Sequence, residues 1–262
     1  MPNEGGAVRP IWEPGPRLKG LGRSMLDLLL PPMTHAGEAA ASTGMGADAF
    51  ARVVFLESPV CDGCGAGLEF DGGAFAESRC AACLARPYRF ARARAACVYD
   101  EASRDAILKL KHADHQAYAP LFARWIARAA AELIEEADAV VPVPLHRLRL
   151  LSRRANQAAE IARPLAKLSA REYLPDALVR ARRTDSQGGK SARGRRLNVR
   201  KAFEVTPSGA MRVRGRRILL IDDVLTTGAT AEACADALLT AGARAVDLAV
   251  VARVRTARTL PM

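Results

Sequence analysis

The residues of this chain best suited to chemistry are two adjacent carboxylates and the hydroxyl-rich turn that follows them. Asp222 and Asp223 come directly after the apolar run Ile218–Ile221 and shortly before the turn Thr226–Thr230. In such a turn, backbone N–H groups and the positive end of the following helix can face a phosphate. The carboxylates would accept hydrogen bonds from sugar hydroxyls or help to position a divalent cation. The alternative is an ordinary strand-to-helix connection capped by Thr230, but it does not account for adjacent carboxylates where a buried strand ends.

Four of the six cysteines form two Cys-x-x-Cys pairs, which is the spacing of a metal site. The pairs Cys61/Cys64 and Cys80/Cys83 are separated by fifteen residues. Two such knuckles can place four thiolates tetrahedrally around one zinc ion, as in a zinc ribbon. Thioredoxin-like redox chemistry is the alternative, but neither pair lies in a strand–helix–strand context. Clustered cysteines without a secretory signal favour metal over disulfides, so we expect structural zinc and a cytoplasmic protein.

The composition indicates a globular protein with an excess of positive charge. Half of the 262 residues are hydrophobic, and no apolar run approaches the length of a membrane span, so membrane insertion is not expected. The formal net charge of +11 suggests a polyanionic substrate or partner, such as a phosphate, pyrophosphate or nucleic acid. An arginine-rich surface without a ligand is the alternative explanation of this charge.

Apolar periodicity predicts alternating strands and helices after residue 92. The predicted strands are Ala93–Tyr99, Ala139–Val143, Ala177–Arg180, Arg216–Ile221 and Ala245–Arg253, and the predicted helices are Ser103–Lys111, Tyr118–Glu136, Ala155–Leu168 and Ala231–Ala241. This order predicts an α/β fold with a doubly wound parallel sheet. Ligands of such sheets bind at the carboxyl ends of the strands, where the acidic pair would lie.

Two further segments rich in arginine lie beside this predicted site. The strand Ala139–Val143 runs into a proline-containing turn followed by Arg147 and Arg153, which could form a second anion site or a surface arginine cluster. Residues 182–201 are too polar for the core and too long for an ordinary connection. We interpret them as a lid, a binding arm or a disordered segment.

The chain is predicted to have three parts. Residues 1–20 are rich in glycine, proline and charge and are expected to form a disordered arm. Residues 21–90 would form a small zinc-ribbon module, and residues 91–255 the α/β domain.

The segment DDVLTTGAT, residues 222–230, resembles the phosphoribosyl-pyrophosphate (PRPP) motif of type I phosphoribosyltransferases. That resemblance implies that Asp222 and Asp223 contact the ribose hydroxyls and act as the catalytic pair, with magnesium bound alongside PRPP. It also implies a 5′-phosphate loop made of Thr226, Thr227, Gly228, Ala229 and Thr230. The turn after the strand Ala139–Val143, which corresponds to the first core strand of these enzymes, would then hold pyrophosphate. Its residues are Val143, Pro144, His146, Arg147 and Arg153.

The whole pattern resembles the ComF family of competence-linked, phosphoribosyltransferase-like proteins over roughly residues 21–255. The segments that carry the resemblance are MLDLLLPP (25–32), the cysteine pairs, VVPVPLHRLRLLSRRANQA (140–158), RTDSQGGKSARGRRLNVRKAF (183–203) and the PRPP motif. The family pattern implies a lid carrying Gln187, Lys190 and Arg193. Many relatives have a further Cys-x-x-Cys after the Leu-Pro-Pro, where this chain has Met33-Thr-His-Ala, so we expect one zinc rather than two.

Two functions follow from the resemblance. The first is a magnesium-dependent phosphoribosyltransferase with an unidentified acceptor, linked to DNA uptake and transformation; we favour this hypothesis. The second is a non-catalytic single-stranded-DNA-binding protein on the same scaffold, with competence proteins as partners. Aromatic residues are only 5% of the chain, so stacking platforms for a single strand are scarce.

Overall fold

The computed structural model describes residues 45, 47–68, 79–110, 118–145, 156–181 and 202–255, and all structural statements below concern these residues. They belong to one compact unit, Met45–Met262. No helix within the described ranges combines the length and the apolar character needed to cross a bilayer.

Strands and helices alternate along the described chain. The strands are β1 (Ala93–Val98), β2 (Ala139–Pro142), β3 (Glu172–Tyr173), β4 (Leu178–Arg180), β5 (Phe203–Val205), β6 (Arg217–Leu225) and β7 (Ala245–Arg253). The helices are α1 (Ala47–Ala51), α2 (Ala81–Ala85), α3 (Glu101–Lys109), α4 (Tyr118–Ala129), α5 (Ala131–Glu136), α6 (Gln157–Ser169), α7 (Pro207–Val213) and α8 (Ala229–Thr240).

Five strands form a parallel sheet in the order β1-β7-β6-β2-β3. The crossover through α6 leads from β2 to β3, whereas the crossover through α8 leads from β6 to β7, in the opposite direction along the sheet. The direction of winding therefore changes between β2 and β6. A doubly wound sheet binds its ligands at the carboxyl ends of the strands beside such a change.

The central strands are buried on both faces. Along β6, Leu219 and Ile221 pack against α4, α5 and α6, whereas Ile218 and Leu220 pack on the side of α7, α8 and the β4–β5 hairpin. A continuous apolar run is what a parallel strand covered by helices on both faces requires. The predicted fold class, a doubly wound parallel α/β sheet, is confirmed.

An antiparallel hairpin and a short helix precede β6. The predicted strand Ala177–Arg180 belongs to this hairpin, as β4, and not to the parallel sheet, and neither β5 nor α7 was predicted. Strands β4 and β5 pair antiparallel outside the main sheet, and α7 follows with Thr206 as its N-cap. The Thr206 hydroxyl accepts a hydrogen bond from Gly209 N at 3.0 Å, and Pro207 occupies the first turn. The hairpin joins the two ends of the predicted lid, because Ala181 N donates to Ala202 O at 2.9 Å. The lid residues Gln187, Lys190 and Arg193 lie outside the described residues.

The buried carboxylate of Asp247 connects the amino ends of β1, β6 and β7 through ion pairs. Asp247 on β7, 1% exposed, accepts hydrogen bonds from Arg217 on β6 at 2.8 Å and from Arg92 at 3.3 Å. The exposed Glu136 contacts the same two arginines from the solvent side. This network lies at the end of the sheet opposite the acidic pair, so it stabilises the fold and takes no part in the predicted site.

Replacing Asp247 with alanine should destabilise the protein by about 3 kcal/mol, because two partly buried arginines lose a charged hydrogen-bond acceptor that the exposed Glu136 replaces only in part. Denaturant unfolding of the variant would measure the loss. Glu136→Ala is the matched control: it removes an exposed carboxylate from the same two arginines and should have a much smaller effect. Equal effects of the two substitutions would show that burial does not determine the contribution of Asp247.

Candidate functional site

The carboxyl ends of β2 and β6 bring the two predicted anion-binding segments together. Pro142 and Ile221 are paired across the strands, and Val143 N donates to Ile221 O at 2.9 Å. Val143 and Pro144 therefore lie beside the start of the acidic pair. The other predicted pyrophosphate-loop residues, His146, Arg147 and Arg153, fall outside the described residues.

The acidic pair lies inside β6 rather than after it. The sequence predicted that the strand ends at Ile221, but pairing with β7 continues to Leu225. Asp222 and Asp223 are half-buried, and each Oδ1 accepts a hydrogen bond from the next backbone N–H, at 2.9 and 2.7 Å. Within the described part of the chain, the second oxygen of Asp223 accepts no hydrogen bond from the protein. It can therefore accept one from a ligand hydroxyl.

Asp222 lies on the side of the sheet that carries α8. Burial, and next the negative charge of Asp222, hold the pKa of Cys234 in that helix well above its usual range. Arg180, at the base of the hairpin, opposes this effect with its positive charge. Leu178 and Phe203 of the hairpin at the base of the predicted lid belong to the same core cluster as Ala231 and Cys234 of α8.

The turn after β6 leads into the amino end of α8. Thr226 and Thr227 are exposed, whereas Gly228 is buried and adopts a left-handed conformation with φ of 80°. Gly228 occupies the N-cap position, where it has no side chain to satisfy the first N–H groups of this 12-residue helix. Uncapped N–H groups and the helix dipole together favour an anion. The half-buried Ala229 and Thr230 begin the helix at this point.

Asn156 closes the base of the predicted pyrophosphate loop. Its Nδ2 donates to Val143 O at 3.1 Å, and its Oδ1 accepts from Ala158 N at 3.2 Å as the N-cap of α6. One side chain thus joins the end of β2 to the start of α6, which fixes both ends of the segment between them.

The four predicted metal ligands, Cys61, Cys64, Cys80 and Cys83, are brought together as the spacing indicated. Their sulfur atoms all lie within 4.8 Å of one another, and Cys64 Sγ lies 3.8 Å from Cys80 Sγ. Zinc–sulfur bonds of about 2.3 Å in a tetrahedron place sulfur atoms about 3.8 Å apart, so this group fits a metal ion of that kind. The four cysteines can therefore hold a metal.

Local geometry keeps the two knuckles close. A Cβ on Gly63 would lie 2.8 Å from Cys83 Cβ, so only glycine permits this approach. Cys80 N donates to Cys61 Sγ at 3.1 Å. A hydrogen bond from the Cys64 thiol, together with that backbone donor, lowers the pKa of Cys61 to about 4. The thiolate form of Cys61 is thus already favoured before a metal binds and displaces the protons of the other three thiols.

A buried arginine connects the cysteine cluster to the sheet. Arg253, the last residue of β7, is 5% exposed, and its guanidinium donates to Cys64 O at 2.8 Å. Sequence reasoning missed this residue. The signal was available, because a charge at the end of an otherwise apolar strand is the same feature that identified the acidic pair.

Comparison with known proteins identifies the α/β part of the chain. Residues 114–261, more than half of the chain, match the family profile described as the phosphoribosyl transferase domain. The chain belongs to the phosphoribosyl transferase domain family. The four-cysteine cluster lies outside the matched residues, as does β1 of the parallel sheet.

Two curated relatives confirm the predicted resemblance to the ComF family. The chain is 36% identical over 111 residues to DNA utilization protein YhgH of Escherichia coli K12, which covers 42% of this chain and 47% of that protein. It is 34% identical over 119 residues to Competence protein F of Haemophilus influenzae, with 40% of this chain and 52% of that protein covered. The chain spans about half the length of these relatives.

A solved structure of a larger enzyme is also similar. It is glutamine phosphoribosylpyrophosphate amidotransferase from B. subtilis, at 21% identity and a TM-score of 0.34, covering 52% of this chain and 26% of that one.

Proposed function

We propose that this phosphoribosyl transferase domain binds PRPP together with magnesium at the carboxyl ends of β2 and β6. The observation that carries the proposal is the placement of Asp222 and Asp223 near the end of a strand that leads through a short turn to an uncapped helix amino end with a left-handed glycine. The carboxylates would accept hydrogen bonds from the ribose hydroxyls. The loop Thr226–Thr230 would hold the 5′-phosphate through its N–H groups and the dipole of α8.

The pyrophosphate group would lie over the end of β2. Val143 and Pro144 are placed beside the acidic pair, and His146, Arg147 and Arg153 follow in the sequence. Magnesium prefers carboxylate and phosphate oxygens, so the acidic pair suits a magnesium–PRPP complex. The ion would neutralise charge on the phosphates.

The reaction proposed for this site is transfer of the phosphoribosyl group to a nucleophile. The bond from ribose C1 to pyrophosphate breaks and its electron pair leaves with pyrophosphate, while the nucleophile forms the new bond to C1. Positive charge develops on the ribose ring in between. The half-buried carboxylates would stabilise that charge, so electrostatic stabilisation rather than a general base would dominate.

The four cysteines would bind one structural zinc ion. Four protein thiolates fill a tetrahedral site, which leaves no position for a substrate. The ion would hold together a segment with few apolar residues of its own, and would have no part in phosphoribosyl transfer.

A thermal melting experiment tests the proposed PRPP site. A ligand present at about a hundredfold excess over its dissociation constant stabilises a protein by about 2.7 kcal/mol. We therefore expect PRPP with magnesium to raise the melting temperature clearly, and PRPP with a magnesium chelator to raise it less. A melting temperature that PRPP and magnesium leave unchanged at millimolar concentration would refute the proposal.

The relatives' names and the positive charge favour a DNA-linked role as the second candidate. The two curated relatives are named for DNA utilization and competence. Residues 182–201 carry eight arginine or lysine residues against one aspartate. A segment of this kind could neutralise the phosphates of single-stranded DNA, either beside PRPP binding or in its place.

One variant separates a lid from a DNA-binding arm. Arg193, Arg195 and Arg196 changed together to alanine should weaken PRPP binding if the segment closes over the ligand. If the segment binds DNA instead, the slope of log DNA affinity against log salt concentration should become less steep by about 0.7 for each lost phosphate contact. We expect the larger effect on PRPP. An unchanged PRPP affinity with a flattened salt dependence would favour the DNA-binding protein.

A charge-matched control accompanies this variant. Arg52, Arg104 and Arg128 are exposed in the described structure, and changing all three to alanine removes the same charge from other parts of the surface. This control should leave PRPP affinity unchanged. Any loss of DNA affinity that it shares with the first variant reports the total charge rather than a specific arm.

A further inference from the structure

The cysteine-containing segment packs directly on the turn and helix of the proposed phosphate site. Arg86 lies 3.3 Å from Glu232 in the first turn of α8, and Arg89 lies 2.8 Å from Asp236 one turn further along. Both arginines follow the second cysteine pair closely in the sequence. Between them lies Tyr88, whose ring reaches Gly228.

Tyr88 fills the space between the cysteine cluster and Gly228. A Cβ placed on Gly228 would lie 2.5 Å from Tyr88 Cε1, so the ring rests against the backbone of the turn. The same side chain packs against the cysteine cluster, and its ring stacks on Phe90 with centroids 4.7 Å apart and planes 11° apart. The ring is therefore held from two sides and supports the turn from the third.

The chemistry around the phenol keeps it uncharged. Burial raises the pKa of Tyr88, and the charges of Cys64, Cys83 and Glu232 add to this, although Arg253 opposes them. These neighbours come from the cysteine cluster, α8 and β7. The Cδ1–Cε1 edge of the same ring faces Gly228.

We propose that the cysteine-containing segment is a support for the phosphate loop, and that Tyr88 is the positioning residue that couples the metal state of the four cysteines to Gly228 and the start of α8. The proposal rests on the proposed function only in taking the loop Thr226–Thr230 to be a phosphate loop. Tyr88 lies five residues after Cys83, so its position depends on the closed second knuckle. Metal release would free that knuckle and withdraw the ring from the turn.

This coupling has a specific structural consequence. Thr226 and Thr227 are exposed, so the turn is held from its inner side, where Gly228 meets Tyr88. Strands β6 and β7, by contrast, are held by their pairing with each other and by the hydrophobic clusters on both faces of the sheet. Loss of the support should therefore loosen the turn and the first residues of α8 without unfolding the sheet.

Amide hydrogen exchange of the full-length, zinc-loaded protein tests the coupling without any phosphate ligand. In Tyr88→Ala, peptides covering residues 225–233 should exchange at least roughly tenfold faster, the factor that corresponds to about 1.4 kcal/mol of easier opening. Peptides covering β1 and α4 should be unchanged. Tyr88→Phe, which keeps the ring, and Leu84→Ala, which truncates an exposed side chain of α2, should behave like the parent.

A second experiment tests the metal directly, and its main measurement uses the parent protein. A zinc chelator in excess should accelerate exchange in residues 225–233 of the parent, and should add little in Tyr88→Ala, where the coupling is already lost. PRPP affinity, measured in the presence of magnesium, should fall at least roughly tenfold in Tyr88→Ala and remain unchanged in Tyr88→Phe.

The outcomes distinguish this proposal from the proposed function. If the parent does not bind PRPP, the proposed function fails, but accelerated exchange in residues 225–233 still supports the coupling. If exchange in residues 225–233 is unchanged both in Tyr88→Ala and after chelation, the coupling is refuted, even where PRPP binds the parent well.

Discussion

Replacing Gly228 with alanine is expected to abolish PRPP binding and to destabilise the ligand-free protein by about 2–5 kcal/mol. The left-handed conformation at φ of 80° costs an alanine about 1–2 kcal/mol. The new Cβ would also lie 2.5 Å from Tyr88 Cε1, and overpacking of this kind typically costs about 1–3 kcal/mol. Because Tyr88 is stacked on Phe90 and packed on the cysteine cluster, the ring cannot simply move away. Denaturant unfolding and PRPP titration would measure both losses.

Gly215→Ala is the matched control for this substitution. Gly215 has a φ of 71°, but a Cβ there would meet nothing within 4 Å. The control therefore isolates the conformational cost, and PRPP binding should survive. Equal stability losses at the two positions would show that Tyr88 does not press on the turn, and normal PRPP affinity in Gly228→Ala would remove the phosphate role from this glycine.

The second large effect is expected from the cysteine cluster. The purified parent should contain one zinc ion per chain, and Cys80→Ser should lose it together with the ordered structure around both knuckles. The magnitude is large because apparent binding free energies of structural zinc reach about 10–16 kcal/mol in small zinc-binding peptides. Elemental analysis of freshly prepared protein and limited proteolysis would measure the two losses.

Cys97→Ser separates metal ligation from mere removal of a thiol. Cys97 is fully buried in β1, its Sγ donates to Val251 O at 3.2 Å, and burial raises its pKa to about 12. The serine variant should keep its zinc. A parent protein without zinc, or a Cys97→Ser protein that loses it as completely as Cys80→Ser, would contradict the assignment of the four ligands.

Sequence reasoning predicted the strong elements because their signals are local. The apolar run of β7 was predicted with the bounds that the structure shows, Ala245–Arg253. The predicted helix Tyr118–Glu136 is divided at the buried Ala130 into α4 and α5. Strand β3 has only two residues, and its pairing with β2 rather than its own sequence defines it.

The limits of the acidic strand could not be read from its residues. Charge at Asp222 and Asp223 suggested that β6 had ended, but pairing with the long strand β7 extends it to Leu225. The carboxyl end of a strand can carry polar side chains where helices no longer cover the sheet. The length of such a strand is therefore determined by its pairing with neighbouring strands. The division into modules at residues 20 and 90 remains a prediction.

The relation between the two candidate sites depends on tertiary structure alone. Tyr88 and Gly228 are far apart in the sequence, and neither residue type indicates the other. The same applies to Arg253 and Cys64, which a buried hydrogen bond joins. The sequence could identify the cysteine pairs and the acidic motif separately, but only the folded chain shows that Tyr88 contacts both the cysteine cluster and the turn at Gly228.

Titration calorimetry of PRPP against an acidic-pair variant tests whether Asp222 and Asp223 bind the ribose of PRPP. The parent should bind PRPP in the presence of magnesium, and Asp222→Asn combined with Asp223→Asn should bind at least roughly a hundredfold more weakly, since each hydrogen bond to a charged group contributes about 1.5–3 kcal/mol. The control Glu135→Gln with Glu136→Gln removes the same charge at the amino end of β2 and should bind like the parent. An acidic-pair variant that remains folded and binds PRPP as tightly as the parent would contradict the account.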